Sequence, residues 1–218
     1  MRESKVFNIS NLDYLREIPD KFFDLVVDDP DYGLGDKISS GGTWSAKYAK
    51  GQGDFGGKPT DEYFKELFRI SKNQIIWGGN YFGLPANRCF IVWRKLSISE
   101  TFSMAMCEYA WTSFDLNAKF YESIPAKGDR FHPAQKPVGL YDWTYKMFLP
   151  NGGKVFDGHL GSGSNRIAAY KAGNIDFYAC EIDKGYFEES DRQFNNFVSV
   201  HSPASENPIT FKGQHKLF

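Results

Sequence analysis

The sequence predicts one α/β domain with a doubly wound, mainly parallel sheet. Apolar runs of strand length at 22–27 and 89–93 alternate with segments of helical spacing at 61–70 and 139–149. Short buried strands that alternate with helices are typical of parallel sheets covered on both faces. A length of 218 residues suits one well-buried domain and is short for two.

Each element is predicted from its own local pattern. In chain order the predicted elements are a strand and a helix within 6–18, a strand at 22–27, a helix at 61–70, strands at 74–77 and 89–93, two strands within 100–124, a helix at 139–149, a strand from 154, a helix at 164–171 and a strand at 177–180. Ser10 or Asn11 is suited to cap the first helix, which Pro19 ends. The glycine-rich stretch 33–59 lacks periodicity, and so long a loop predicts either a lid over a substrate or disorder.

Composition limits the classes of function. The formal net charge of −1 does not indicate a nucleic-acid binder, although a local basic patch can still contact phosphates. The cysteines Cys89, Cys107 and Cys180 show no CxxC spacing, which predicts a reducing compartment without disulfides or a zinc site. No membrane span and no apolar leader are visible in the sequence, so we expect a cytoplasmic protein. The four histidines show no HExxH or paired spacing, so we expect no metal site.

The strongest chemical signal is the segment 154–167, KVFDGHLGSGSNRI, which predicts a strand, a glycine turn and a helix N-terminus. This arrangement binds nucleotide-like cofactors, because glycines let the backbone approach the ligand closely. Binding of NAD is the weaker alternative, since Arg166 stands where the dinucleotide fingerprint needs a small residue. Glu181 follows at the end of the next predicted strand, where a carboxylate can accept both hydroxyls of a ribose.

A second polar cluster, DDPDYG at 28–33, follows the buried strand 22–27. Open α/β sheets bind ligands at the carboxyl ends of their strands. We therefore expect this cluster and the glycine turn to meet at neighbouring strand ends.

Four segments, taken together, resemble the β-class DNA amino-methyltransferases. Residues 29–32 (DPDY) resemble the family's DPPY, 132–137 (HPAQKP) its HPTQKP, 157–164 (DGHLGSGS) its DPFxGSGT, and 181–183 (EID) its acidic strand end. The segments come in the family's permuted order, with the catalytic motif before the cofactor motif. The resemblance implies a Rossmann-like methyltransferase fold that is circularly permuted, and a single domain over 1–218.

Within that domain, the resemblance divides the chain into a catalytic half at 1–95, a cofactor half at 132–200 and a tail at 201–218. The intervening residues 96–131 become a candidate target-recognition or interaction segment. Basic residues that could contact DNA phosphates lie in the glycine-rich loop and in or beside this segment; they are Lys37, Lys47, Lys50, Lys58, Lys95, Lys119, Lys127 and Arg130.

The resemblance also implies a cofactor, a substrate and site residues. The cofactor is S-adenosyl-L-methionine, and by resemblance its binding residues are Asp157, Gly161, Ser162, Gly163, Ser164, Glu181, His132, Gln135 and Lys136. The Asp29 carboxylate and the Pro30 carbonyl would accept hydrogen bonds from an exocyclic base amine, which is otherwise a poor nucleophile. Tyr32 would stack on a base flipped out of duplex DNA. The leading Asp of the motif favours adenine N6, and relatives of this class also form homodimers.

Three departures from the family pattern bear most directly on the site. Asp31 replaces a proline, which restores an N–H group and adds a carboxylate close enough to Asp29 to raise at least one pKa. We therefore hypothesise reduced activity. Ile9-Ser10 stands where Gly-Asp is usual, and His159 replaces a Phe and is interpreted as a packed core residue.

Other functions remain open on the sequence alone. The fold could bind cofactor or DNA without turnover, or methylate cytosine N4, RNA or a protein glutamine. The glutamine enzymes usually read NPPY and place the cofactor motif first, opposite to the order found here.

Overall fold

A computed structural model describes residues 3–33, 57–102, 104–125 and 130–201. The predictions that fall outside these residues concern most of the glycine-rich loop, the tail at 202–218, and Lys37, Lys47, Lys50 and Lys127. Among the described residues, no helix is long and apolar enough to cross a membrane.

The described residues form eight strands, five α-helices and a 3₁₀ turn. The strands are β1 (Glu3–Phe7), β2 (Phe23–Asp28), β3 (Ser71–Trp77), β4 (Phe90–Lys95), β5 (Cys107–Thr112), β6 (Lys119–Ser123), β7 (Gly153–Asp157) and β8 (Ile175–Cys180). The helices are α1 (Asn11–Arg16), α2 (Asp61–Ile70), α3 (Val138–Phe148), α4 (Ser164–Ala172) and α5 (Lys184–His201), and the 3₁₀ turn is Gly79–Tyr81.

All eight strands belong to one sheet in the order β1-β8-β7-β2-β3-β5-β4-β6. Neighbouring strands are parallel except at β5, which runs antiparallel to both β3 and β4. The prediction of a mainly parallel α/β sheet is confirmed. The segment 96–131 supplies β5 and β6, so part of the candidate recognition segment builds the sheet itself.

Apolar side chains cover both faces of the sheet. On one face Leu15 of α1 and Leu67 of α2 pack with Phe156 of β7, and on the other face Leu140 of α3 and Ala168 of α4 pack against the sheet. These five side chains are fully buried, and burial of a large apolar side chain contributes roughly 1.5–3 kcal/mol. The helices therefore hold the strand ends in fixed positions.

Helix α5 was not predicted. Its buried residues Tyr186, Ser190 and Phe194 recur every four positions, which is the spacing of one helical face. A serine within this narrow stripe weakens the apolar pattern, and charged and polar residues fill much of the rest of the helix.

Arg166 has a structural role that explains its departure from a dinucleotide fingerprint. The side chain is buried, and its guanidinium lies 3.8 Å from the ring centre of Phe194. Its Nε donates to Ser4 Oγ at 2.9 Å, and Nη1 lies 2.8 Å from Asp191 Oδ1. Arg166 thus joins α4 to β1 and α5, and a small residue here could not do so.

Candidate active site

The two chemical segments of the sequence lie side by side at one edge of the sheet. Strands β2 and β7 pair in parallel, with Leu25 opposite Val155 and Val26 opposite Phe156. Residues 29–32 and the glycine turn 158–163 therefore leave neighbouring strands in the same direction. This is the arrangement that the sequence predicts.

Asp29 lies in a network of charges in which the two lysines are buried and the two carboxylates are partly buried. Its Oδ1 accepts a hydrogen bond from Tyr32 Oη at 2.7 Å, and its Oδ2 accepts one from Lys136 Nζ. Lys136 Nζ also lies 3.1 Å from Glu108 Oε2, and Glu108 Oε1 lies 2.6 Å from Lys95 Nζ. Lysines and carboxylates therefore alternate from Lys95 through Glu108 and Lys136 to Asp29.

Burial and the surrounding charges set the ionisation of this network. Burial raises the pKa of Asp29, the charge of Glu108 raises that pKa further, and Lys136 opposes both. Although burial alone would raise the pKa of Glu108, the ammonium groups of Lys136 and Lys95 hold it below its usual range. Burial lowers the pKa of Lys136, but Asp29 and Glu108 outweigh it and raise that pKa. Lys136 is therefore a cation shared by two carboxylates.

Asp31 does not disturb the contact between Asp29 and Tyr32. Its Oδ1 accepts the backbone N–H of Gly33 at 2.8 Å, which is a local turn typical of aspartate. The sequence-based expectation of a raised pKa holds for Asp29, but the causes are burial and Glu108. Pro30, whose carbonyl is the other predicted acceptor, is buried.

Tyr32 borders a cavity at the ends of β3 and β5. A Cβ on Gly78 would lie 2.1 Å from Tyr32 Cε1, so only glycine leaves room for this ring. The ring of Tyr81 stacks on Tyr32 with centroids 5.1 Å apart, and Tyr81 is 41% exposed. The cavity has a volume of about 130 Å³, and Asn80 and Glu108 also line it. An aromatic surface and polar groups therefore meet beside Asp29.

Asp28 joins the two strand ends, a role that the sequence did not predict. Its carboxylate accepts hydrogen bonds from Tyr63 Oη at 2.7 Å and from the backbone N–H of Gly158 at 3.1 Å, and it lies 2.9 Å from His159 Nδ1. A Cβ on Gly158 would lie 2.1 Å from Tyr63 Oη, so the close approach requires glycine. Two consecutive aspartates at the end of a buried strand were the available signal.

His159 is a partner of Asp28 as well as a packed residue. Its ring packs edge to face on Tyr63, and Asn11 Nδ2 lies 3.0 Å from its Nε2. Burial lowers the pKa of His159, but the charge of Asp28 and the hydrogen bond between them raise it to about 9. The histidine thus balances a buried carboxylate, which the family's Phe could not do.

The pairing of His159 with Asp28 predicts a pH-dependent stability. Because the folded-state pKa of about 9 exceeds the ordinary 6.5, protonation of His159 stabilises the fold below pH 6.5, and this contribution is lost as pH rises through 9. We expect wild type to exceed His159→Phe in unfolding free energy by on the order of 2 kcal/mol near pH 6 and by less near pH 9.5. Denaturant titrations of both proteins across this range measure the difference. A difference that does not change with pH would contradict the pairing.

The glycine turn after β7 is ordered by its own polar contacts. Asp157 Oδ1 accepts the backbone N–H of His159 at 3.0 Å, and Asp157 Oδ2 accepts Asn165 Nδ2 at 2.9 Å. Burial, together with the charge of Asp28, raises the pKa of Asp157 to about 7. Ser162 and Ser164 are buried, with their hydroxyls 3.0 Å apart.

Glu181 lies against the glycine turn, as predicted from its place after β8. Its Oε2 accepts the backbone N–H of Gly161 at 2.8 Å, and its Oε1 accepts that of Asp183 at 2.9 Å. A carboxylate can accept about four hydrogen bonds, so each oxygen retains a lone pair for a further donor. Gly163 follows at the N-terminus of α4, at the same turn.

The segment 132–137 reaches both parts of the site. The ring of His132 lies 3.3 Å from the position that a Cβ on Gly161 would take, so the imidazole covers part of the glycine turn. Burial, aided by Lys136 and Arg130, lowers the pKa of His132 to about 4, so it is neutral at pH 7. Gln135 Oε1 is buried and accepts no hydrogen bond from the residues that the structure describes. Lys136 lies between Asp29 and Glu108, and its place near the cofactor, which the resemblance implies, stays a prediction.

The basic residues predicted to contact DNA fall into different environments. Lys95 is buried and paired with Glu108, so it is not a surface contact for phosphate. Arg130 Nη2 donates to the Pro133 carbonyl at 2.8 Å. The Lys58 side chain lies next to Gly33, with its Cβ 3.1 Å from the position of a Cβ on that glycine, which places it beside residues 29–32.

A family model for DNA methylases of the N6/N4 type matches residues 45–192, more than half of the 218 residues. The chain belongs to the N6/N4 family of DNA methylases. The match covers the cofactor segments at 132–137, 157–164 and 181–183 and begins after residues 29–32, the segment that contains Asp31. The resemblance found in the sequence is confirmed, and S-adenosyl-L-methionine is the cofactor of this methylase family.

Solved structures share the fold of this N6/N4 methylase. TTHA0409 of Thermus thermophilus, a proposed DNA modification methylase solved with S-adenosyl-L-methionine, is 18% identical with a TM-score of 0.61, over 89% of this chain and 94% of that one. The M1.HpyAVI–SAM complex is 14% identical with a TM-score of 0.59, covering 87% and 98%. The cytosine-N4-specific PvuII DNA methyltransferase is 12% identical with a TM-score of 0.62, covering 91% and 92%. A search among curated proteins found no significant match.

The site's own chemistry fits S-adenosyl-L-methionine. The cofactor carries ribose hydroxyls, an amino group and a carboxylate. Glu181 has free lone pairs beside the glycine turn, and the orphaned Oε1 of Gln135 is a buried acceptor suited to an ammonium group. The residues present therefore match the donors that the cofactor offers.

Proposed function

We propose that this methylase transfers a methyl group from S-adenosyl-L-methionine to the exocyclic N6 of adenine in DNA. The observation that supports the proposal is the position of Asp29. This carboxylate, whose side chain is 16% exposed, is held by Tyr32 and Lys136 at the end of β2, next to the glycine turn of β7. An acceptor for a base amine and a cofactor turn thus occupy adjacent strand ends.

Asp29 would accept one N–H of the base amine, and the Pro30 carbonyl the other. Hydrogen bonds to both N–H groups direct the nitrogen lone pair away from the ring and towards the methyl group. The bound cofactor supplies an electrophilic methyl group on a sulfonium. Burial strengthens these electrostatic contacts, because few competing water molecules reach the site. The raised pKa of Asp29 suits this carboxylate to take up the proton that the methylated amine must lose.

Tyr32 and its cavity are suited to a flipped base. The ring of Tyr32 already carries a stacked aromatic partner, Tyr81, whose half-exposed side chain could move aside for a base. Base–aromatic stacking is worth about 1–3 kcal/mol, which offsets much of the few kcal/mol needed to extrude a nucleotide from the duplex. We infer that the target base replaces Tyr81 on Tyr32.

Adenine is proposed over cytosine because the motif begins with Asp, which in the resemblance favours adenine N6. Cytosine N4 is the second candidate, supported by the similar fold of the cytosine-N4-specific PvuII methyltransferase. Both bases present an amine that Asp29 and Pro30 could bind. The distinction therefore requires the product itself.

Nucleoside analysis tests the proposal directly. The protein is incubated with methyl-labelled S-adenosyl-L-methionine and mixed-sequence DNA, and the DNA is digested and analysed by mass spectrometry. We expect label in N6-methyldeoxyadenosine. Label in N4-methyldeoxycytidine would overturn the choice of base. Cofactor binding without label, or label in RNA or protein acceptors offered in parallel, would overturn DNA methylation.

Asp31 gives a prediction about rate. Replacing Asp31 with proline restores the family residue and fixes the backbone before Tyr32, so we expect the methylation rate to rise about two- to fivefold, which corresponds to a lowering of the activation barrier by roughly 0.4–1 kcal/mol. Asp31→Ala is the matched control, since it removes the carboxylate without fixing the backbone. Initial rates with saturating DNA measure the effect. A rate for Asp31→Pro equal to or below wild type would show that Asp31 does not impair the enzyme.

A further inference from the structure

Lys136 has two carboxylate partners that differ in environment. Asp29 lies at the catalytic corner, whereas Glu108 comes from β5 and lines the cavity beside Tyr32. Lys136 is almost fully buried, so its ammonium depends on these two anions for compensation. Any change in Glu108 therefore changes how strongly Lys136 binds Asp29.

Lys95 limits how strongly Glu108 competes with Asp29 for Lys136. Its Nζ lies 2.6 Å from Glu108 Oε1, and its side chain is 10% exposed. Its ammonium lies 5.3 Å from the ring centre of Trp93, a second contact that holds it in place. Lys95 thus satisfies part of the charge of Glu108 and leaves Lys136 shared between Glu108 and Asp29.

We infer that Glu108 and Lys95 are positioning residues that act on Asp29 through Lys136. Because Lys136 also pairs with Glu108, this cation does not fully neutralise the charge of Asp29. Asp29 therefore remains a strong acceptor for the amine of the base. By restraining Glu108, Lys95 prevents the opposite extreme, in which Asp29 would lose its cation. The inference rests on the proposed function, because it concerns the same Asp29.

The charged and titratable groups around Asp29 come from several elements. Lys136 precedes α3, Glu108 belongs to β5 and Tyr32 follows β2, and each of them affects the pKa of Asp29. Tyr141 of α3 is buried and its phenol also interacts with Asp29. Tyr32 and Tyr141 have raised pKa values and remain neutral. The charged groups whose removal would change the pKa of Asp29 are therefore Lys136 and Glu108.

Two substitutions have opposite expected signs. Glu108→Gln leaves Lys136 paired with Asp29 alone and removes a negative charge that raises the pKa of Asp29, so we expect that pKa to fall. Lys95→Gln removes the other cation of Glu108, so Glu108 pairs more strongly with Lys136 and weakens the pairing of Lys136 with Asp29. We therefore expect the pKa of Asp29 to rise. Glu108→Asp keeps the charge and should restore most of the wild-type value. A residue with only a structural role would not give shifts of opposite sign.

The titration of Asp29 is followed by NMR of carboxyl-¹³C-labelled aspartate, with Asp29→Asn used to assign the signal. This readout does not require activity, so a protein that fails to methylate DNA would refute the proposed function without deciding this inference. Glu122→Gln is the matched control, because Glu122 is a more exposed carboxylate paired with Arg94 on neighbouring strands. Unchanged Asp29 titration in both Glu108→Gln and Lys95→Gln, or shifts of the same sign, would overturn the inference.

Activity provides a second, independent test. For Glu108→Gln we expect kcat to fall about tenfold, less than the 10²-fold or more that loss of a catalytic acid or base costs. The KM values for DNA and cofactor should stay within about twofold, and the acid limb of the kcat profile should move to lower pH. A fall in kcat with an unmoved acid limb would assign Glu108 a structural role only.

Discussion

Asp29→Asn is expected to reduce kcat for DNA methylation by about 10²- to 10³-fold, the cost of losing one preorganised electrostatic group in a buried site. Asparagine has nearly the same shape and keeps one acceptor oxygen, so the bond from Tyr32 can persist. It lacks the charge that binds Lys136 and cannot take up a proton. Because Lys136 retains Glu108 as a partner, the fold should survive the change.

Asp31→Asn is the matched control for this experiment. Asp31 is two residues away, and its side chain accepts the local N–H of Gly33, which an asparagine oxygen can also accept. We expect its kcat to stay within about threefold of wild type, a change of less than about 1 kcal/mol in the activation barrier, because Asp31 is not among the groups that shift the pKa of Asp29. Single-turnover methylation and calorimetric cofactor titration separate chemistry from binding. If Asp29→Asn retains more than about a tenth of the wild-type kcat, Asp29 is not the catalytic acceptor.

Glu181→Gln should weaken the binding of S-adenosyl-L-methionine by about 10- to 100-fold, since hydrogen bonds to charged groups contribute about 1.5–3 kcal/mol. In the structure both carboxylate oxygens of Glu181 accept backbone N–H groups, from Gly161 and Asp183. Glutamine offers only one acceptor oxygen, so it cannot satisfy both N–H groups and also bind a ribose. Isothermal titration with the cofactor, without DNA, measures the dissociation constant.

Asp183→Asn is the control for Glu181→Gln. Asp183 Oδ1 accepts the backbone N–H of Tyr186 at the start of α5, and asparagine caps helices about as well as aspartate. This variant removes a neighbouring carboxylate while leaving the turn intact, so its cofactor affinity should match wild type. Equal affinities for Glu181→Gln and wild type would mean that Glu181 only orders the glycine turn.

The sequence predicted those parts of the site that depend on local patterns. The strand ends, the glycine turn and the position of Glu181 follow from apolar runs interrupted by glycine and acidic residues, and each lies where the pattern places it. The adjacency of Asp29 and Gly158 follows from the rule that ligands bind at the carboxyl ends of parallel strands.

The partners of Lys136 could not be predicted in this way. Glu108 lies within a strand whose sequence, CEYAWT, gives no sign that its second residue pairs with two lysines. Its proximity to Lys136 depends on β5 inserting antiparallel between β3 and β4, a pairing that no local pattern encodes. Long-range charge pairs thus depend on topology, which the periodicity of apolar residues does not fix.

The buried carboxylate of Asp28 has a consequence for how the protein is made. It hydrogen-bonds to Gly158, which is 130 positions later in the chain. During synthesis from the N-terminus, β2 therefore emerges long before β7, its neighbour in the finished sheet, and the backbone N–H and C=O groups of one strand edge stay unpaired until then. A nascent chain that stops before β7 already contains residues 29–32, Glu108 and Lys136, but it lacks the glycine turn that completes the site. Contacts so distant along the chain form slowly, and an unpaired strand edge favours aggregation, so we expect the partly synthesised methylase to be prone to aggregation until its last third is translated.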